Sequence, residues 1–376
     1  MSRILVTIIT GFLGSGKTTL LNSLLNHPEM AQSAVIVNEF GEIGLDYDLV
    51  ERSDESVVQL ENGCLCCSVK GDLIDTFRDL YIQRQGGQLP KFERVVIETT
   101  GIANPGPILQ IILTDPMVSS CYELDGVVTT VDAINGHFSL SSFPECVRQV
   151  AVADRVVLTK TDMIKPDDQQ NFDKTKQWIS KINLTASVVE SVSGSSDPGM
   201  LFGFGLKHPE SKLAELESWL KIIESKQENE GDELALEKAS REEAAAYYAK
   251  IGHAPTAEDE AAHDPNINTF CVVRDEPIDM ETLRLFLEAL TKEAGPNLLR
   301  VKGLLNIKQR PGHPAVIQGA QKIFHSLDWL EKWPSGDHRS RIVFITRGLD
   351  KAYIEETFEL LERIVMRTQE AGRIGD

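Results

Sequence analysis

No stretch of this sequence reaches the roughly 18 consecutive apolar residues that a membrane-crossing helix needs, so a spanning segment is not expected. The apolar run at residues 4–10 is short and opens straight into a glycine-rich turn, without the long apolar region and small-residue cleavage site of a secretory signal. A cytoplasmic location is therefore expected. Basic residues are also in deficit: 38 Lys and Arg face 57 Asp and Glu, which leaves a net charge of −19. Such a surface repels nucleic-acid phosphates, which argues against nonspecific nucleic-acid binding. Cysteine is sparse, with six in 376 residues. In a chain of this kind thiols serve as metal ligands, catalytic groups or buried fillers rather than disulfides. Cys121, Cys146 and Cys271 stand among apolar neighbours and read as core residues, whereas Cys64, Cys66 and Cys67 crowd into four positions.

What is present has a clear rhythm. Short β-rich runs at residues 4–10, 33–37, 94–98, 126–131, 155–159 and 186–190 alternate with helical stretches such as 18–26 and 71–84. Strands separated by helical connections imply βαβ units, so residues 1–207 are expected to form a doubly wound α/β domain with a largely parallel sheet. Between residues 224 and 264, twelve acids stand against four bases. Residues 208–266 accordingly read as an acidic, partly helical connector. A smaller α/β domain is expected at 267–376. Its strands are placed at 270–273, 298–307, 315–318 and 341–346, its helices at 279–294, capped by Asp279, and at 350–366.

The first strand runs into GFLGSGKT, a full G-x-x-x-x-G-K-T with a strand before it and a helix after it. Gly11, Gly14, Ser15, Gly16, Lys17, Thr18 and Thr19 form a phosphate-binding loop, in which backbone N–H groups and the positive end of the helix face the anion. Lys17 reaches the β- and γ-phosphates and the Thr18 hydroxyl ligates Mg²⁺. That ion also needs a carboxylate at another strand end. VVIETTG supplies Glu98, with Gly101 three residues on to offer its N–H to a γ-phosphate. A further strand ends in Thr159-Lys160-Thr161-Asp162. A carboxylate at Asp162 accepts two hydrogen bonds from the N1 and N2 edge of guanine, a donor pair that adenine lacks. The Lys160 stem can lie along the base, and residues 191–196 can close over it through their backbone. Asp132, Arg300 and Lys302 stand at strand ends and read as structural ion-pairing groups.

The segment QLENGCLCC places three thiols where a soft or borderline cation such as Zn²⁺, Co²⁺ or Cu⁺ would be held. Two thiolates plus an outside ligand is a workable set, and Glu39 and Glu42 in NEFGE offer carboxylates. Glu42 could instead position water for hydrolysis. Two other readings stay open: a metal buffer or sensor that needs no hydrolysis, and a redox-regulated nucleotide hydrolase in which Cys64 pairs with Cys66 or Cys67.

Taken together, GFLGSGKTT, NEFGEIGLD, ENGCLCC, VVIETTG and TKTD resemble the CobW-type GTPases, relatives of the UreG and HypB metal-insertion proteins. LLRVKGLLNI, AVIQGAQ and SRIVFITRGLD resemble the C-terminal domain of that family, so the likeness spans nearly the whole chain. The resemblance implies a GTP-dependent metallochaperone, most often linked to zinc and sometimes to cobalt, that hands its cargo to a client metalloprotein. It assigns residues 11–19 to phosphates, Thr18 and Glu98 to Mg²⁺, residues 159–162 to guanine, and Cys64, Cys66 and Cys67 to the cargo. Lys17, Glu42 and Glu98 would serve hydrolysis. A homodimer is left open. The His-rich tract of many members is here reduced to His253 and His263, which read as solvated. No Arg finger or catalytic Gln is evident, so slow intrinsic turnover is expected.

Overall fold

In the computed structural model the described residues are 3–37, 58–61, 69–192, 194, 196–202, 267–320, 323–324 and 327–374. They fall in two compact units. The first is built on seven strands: β1 Ile4–Gly11, β2 Ser33–Val37, β3 Val58–Glu61, β4 Arg94–Glu98, β5 Tyr122–Asp132, β6 Arg155–Thr159 and β7 Ser187–Glu190. They lie in the order β3-β2-β4-β1-β5-β6-β7, and every pairing is parallel. Among the connections are α1 Lys17–Leu25, α2 Val69–Gln85, α3 Gly106–Thr114, α4 Pro116–Cys121, α5 Gly136–Ser142, α6 Pro144–Ala151 and α7 Gln169–Ile182.

Parallel strands covered by helices on both faces are largely apolar, which is why Val and Ile dominate β1, β2 and β4. On one face, Leu20, Leu21, Leu24 and Leu25 of α1 pack on Ile9, Val35, Val96, Val128 and Val157 of five different strands. β5 is longer than the expected 126–131. Glu123 and Asp125 interrupt its apolar pattern, yet both are buried, Glu123 against Arg3 and Asp125 against Arg94. Of the three cysteines expected in the core, Cys146 and Cys271 are buried, whereas Cys121, at the end of α4, is only half-buried.

The second unit holds six strands, β8 Ile267–Arg274, β9 Leu298–Leu305, β10 Ala315–Ala320, β11 Ile323–Phe324, β12 Asp328–Trp329 and β13 Ser340–Arg347. The order is β11-β10-β9-β13-β8, with β12 also on β10, and the pairings are antiparallel. One sheet face packs on helices Met280–Ala289 and Lys351–Ile374 through Leu283, Phe286, Ile354 and Phe358. Asp279 caps the former helix by accepting from the Glu281 N–H. That helix was expected to run to 294. It leaves α geometry after Ala289 and continues as a π turn over Leu290–Ala294. Arg300 and Lys302 are buried on β9. Among the described residues no helix is long and apolar enough to cross a membrane.

Candidate nucleotide site

The carboxyl ends of the parallel strands converge on one edge, where ligands of such sheets bind. β1, in the centre, delivers the phosphate loop. Gly11, Gly14 and Gly16 take φ of 143°, 71° and 88°, which L side chains rarely adopt. At Gly11 the constraint is doubled, because a Cβ there would lie 2.3 Å from Thr130 Oγ1 and 2.5 Å from the Thr130 carbonyl oxygen. Gly11→Ala is expected to destabilise this unit by about 2–4 kcal/mol, from overpacking plus left-handed strain. A denaturant midpoint equal to that of the wild type would contradict this.

The loop is tied down from its neighbours. Ser15 Oγ and Thr130 Oγ1 are 2.6 Å apart, and Thr159 Oγ1 donates to the Ser15 carbonyl at 2.7 Å. Lys17, buried, donates to the Phe12 carbonyl at 3.1 Å. Thr18 Oγ1 donates to Glu98 Oε1 at 2.7 Å, so the hydroxyl and the carboxylate named from sequence stand side by side although 80 positions apart. Two hard oxygen donors at the mouth of a phosphate loop fit Mg²⁺. Gly101 packs on the loop closely enough that a Cβ would sit 2.6 Å from the Leu13 nitrogen. Thr19 is exposed on the first turn of α1, and Gly194 packs against it: a Cβ at 194 would meet Thr19 Cγ2 at 2.7 Å.

The T-K-x-D element follows β6. Lys160 holds a left-handed backbone at φ 60° and donates to Asp132 Oδ2 at 2.7 Å. Burial pushes the Asp132 carboxyl up, but hydrogen bonds from Lys160, Asn135 and the Ile134 and Asn135 N–H groups outweigh it, and the pKa is lowered. Asp132 therefore stays ionised and anchors the lysine beside the site. Asp162 is exposed, and Thr161 Oγ1 donates to the Ser191 carbonyl at 2.9 Å, joining residues 160–162 to the start of the next loop. Ion pairing was expected of Asp132, but its partner Lys160 and its place beside the T-K-x-D element were not.

Residues 38–57 and 62–68 lie outside the described residues, and with them Glu39, Glu42, Cys64, Cys66 and Cys67. Among the described residues no group of three or more His, Cys, Asp or Glu gathers as a metal site. The strands bounding those two segments are described. Val37 at the end of β2 is in register with both Glu98 of β4 and Glu61 of β3.

A parallel sheet, a phosphate loop on its central strand, a hydroxyl–carboxylate pair and a T-K-x-D element define a P-loop nucleotide hydrolase of the GTPase kind. Comparison with known proteins narrows the class. Residues 5–190 match the CobW/HypB/UreG nucleotide-binding domain, and residues 267–361 match the cobalamin synthesis protein cobW C-terminal domain. The chain is 32% identical over 363 residues to the zinc chaperone YjiA of Escherichia coli K12, which covers 96% of this chain and 100% of that protein. It is 40% identical over 199 residues to the zinc-regulated GTPase metalloprotein activator 1 of Schizosaccharomyces pombe, covering 51% of this chain and 46% of that one. The crystal structure of Zn(II)-bound YjiA GTPase from E. coli superimposes with a TM-score of 0.64 at 28% identity, over 96% of this chain and 99% of that one. The chain belongs to the CobW family of P-loop GTPases.

Proposed function

We propose that this protein is a GTP-dependent metallochaperone. It binds a transition metal, zinc in first place and cobalt as the alternative, and releases it to a client metalloprotein as the nucleotide state changes. Residues 1–207 are the GTPase domain, 208–266 an acidic connector, and 267–376 a C-terminal domain, the candidate for contacting the client. The protein works in the cytoplasm without nucleic acid.

GTP sits with its phosphates in residues 11–19 and its base against Asp162, and Lys160 is held in place by Asp132. Thr18 and Glu98 would hold Mg²⁺, which would supply positive charge against the phosphates. Lys17 stabilises charge on the transferring phosphoryl group, and Glu42 either orients water or ligates the cargo. Cys64, Cys66 and Cys67, with Glu39 or Glu42, form the cargo site.

One observation supports the coupling of metal to nucleotide. The register of Val37 with Glu98 and Glu61 sets the ends of β2 and β3, which precede NEFGE and GCLCC in the sequence, at the level of the proposed Mg²⁺ carboxylate. A ligand can shift a site only through differential affinity for its two states. The test is therefore the Zn²⁺ and Co²⁺ affinity of the protein loaded with a non-hydrolysable GTP analogue against GDP. Tighter binding with the analogue is expected, and equal affinities would sink the coupling.

A further inference from the structure

Gln149 is a polar residue that no motif explains. It lies on α6, is 1% exposed, and is closed in beneath the loop that follows β4. Its carboxamide nitrogen donates to two main-chain carbonyls of that loop, Gly101 at 3.2 Å and Ala103 at 3.1 Å. Both protons of one amide are thus spent on backbone oxygens two residues apart. Such a pair holds a loop in one arrangement, because a carbonyl that moves away leaves a buried donor unpaired.

The glutamine is itself held. Its main-chain carbonyl accepts from Thr129 Oγ1 at 2.8 Å. The next residue of β5, Thr130, pairs with Ser15 of the phosphate loop at 2.6 Å. On its other side Gly101 rests against Leu13, with no room for a Cβ. A continuous path therefore runs from Ser15 through β5 and α6 to residues 101–103. Each link is a side-chain hydroxyl or carboxamide meeting the phosphate loop, α6 or the loop after β4.

We infer that Gln149 is a positioning residue for GTP hydrolysis, a latch that keeps Gly101 against the phosphate loop where its N–H meets the γ-phosphate. This rests on the reading of Gly101 as the γ-phosphate contact. The latch discriminates between nucleotides. GDP has no γ-phosphate and draws nothing from the loop, whereas GTP binding and hydrolysis need the loop in place. Gln149 touches neither phosphate nor metal, so its effect reaches the chemistry only through residues 101–103.

The test is Gln149→Met, which keeps the length of the side chain and removes both donors. Two buried hydrogen bonds lost imply about a tenfold fall in kcat and in affinity for a non-hydrolysable GTP analogue. GDP affinity should stay within about twofold, since each tenfold change needs some 1.4 kcal/mol and no GDP contact is lost. That split between nucleotides is something general destabilisation does not produce, because loss of fold weakens both. Thr129→Val is the second variant. It removes the bond that pins the carbonyl of Gln149 and is expected to shift the same two quantities in the same direction, by less. A folded Gln149→Met protein with unchanged kcat and unchanged analogue-to-GDP preference overturns the inference, as does an equal loss of both nucleotides with Thr129→Val silent. If the wild type itself hydrolyses no GTP, the functional reading has failed instead, and that outcome is distinct from a wild type that turns over beside an unaffected variant.

Discussion

Asp162→Asn is expected to lower affinity for GTP by about one hundred- to ten-thousand-fold and to confer binding of xanthosine triphosphate. In the proposed site the carboxylate accepts from guanine N1–H and from the exocyclic amine at C2. Hydrogen bonds to a charged group contribute about 1.5–3 kcal/mol each, and the amide turns one of them into a donor facing a donor. Xanthine carries an oxygen at C2, so the Asn amide can donate there while its oxygen accepts from N1–H. The fold is spared, because Asp162 is exposed at a turn outside the core. Titration with fluorescent GTP and xanthosine triphosphate analogues gives the answer. A variant that keeps full GTP affinity would show that the base is read elsewhere.

Lys17→Met should leave a folded protein that hydrolyses GTP about one hundred- to one-thousand-fold more slowly, the usual cost of removing one preorganised charge from a site where negative charge develops. Lys17 is buried and its ammonium lies 3.1 Å from the Phe12 carbonyl. Methionine preserves the packed stem and deletes only the cation, so the loss is electrostatic rather than a cavity effect. Single-turnover hydrolysis with saturating nucleotide is the measurement, and a rate within twofold of wild type would remove Lys17 from the chemistry. In the same variant the metal should remain bound after GTP is added and time allowed, since release is assigned to hydrolysis.

The parts of the site that were legible are those in which a contiguous run carries its own geometry. Residues 11–19 and 159–162 stand out because glycines and a lysine at fixed spacing suit one anion, and a carboxylate two residues after a lysine suits one base edge. Glu98 was legible as a strand-end carboxylate, and the structure puts Thr18 beside it. Long-range partners were not. Asp132 meets Lys160 across 28 positions, and only the pairing of β5 with β6 brings the strand ends together. Gln149 left no trace because its partners are main-chain carbonyls, which have no residue identity to read. Similar limits affected the fold. Glu123 and Asp125 shortened the expected strand because a sequence pattern does not show the arginines that bury them. The second domain was foreseen as α/β, but the antiparallel order of its sheet rests on pairings between strands far apart in sequence, such as β13 with β8, rather than on any local signal.

The left-handed backbone of Lys160 has a consequence beyond positioning. It is the sole non-glycine residue with positive φ among the described residues. An L side chain in that conformation costs roughly 1–2 kcal/mol, a sizeable part of the margin by which most domains stay folded. On the proposed reading, thermal tolerance and base binding are therefore opposed at this position. Glycine would relax the turn, but it would discard the charged stem that Asp132 restrains. A lineage adapting to heat that relieved this strain would give up the lysine that the proposed site lays along the base, and would otherwise have to gain its stability elsewhere in the sheet.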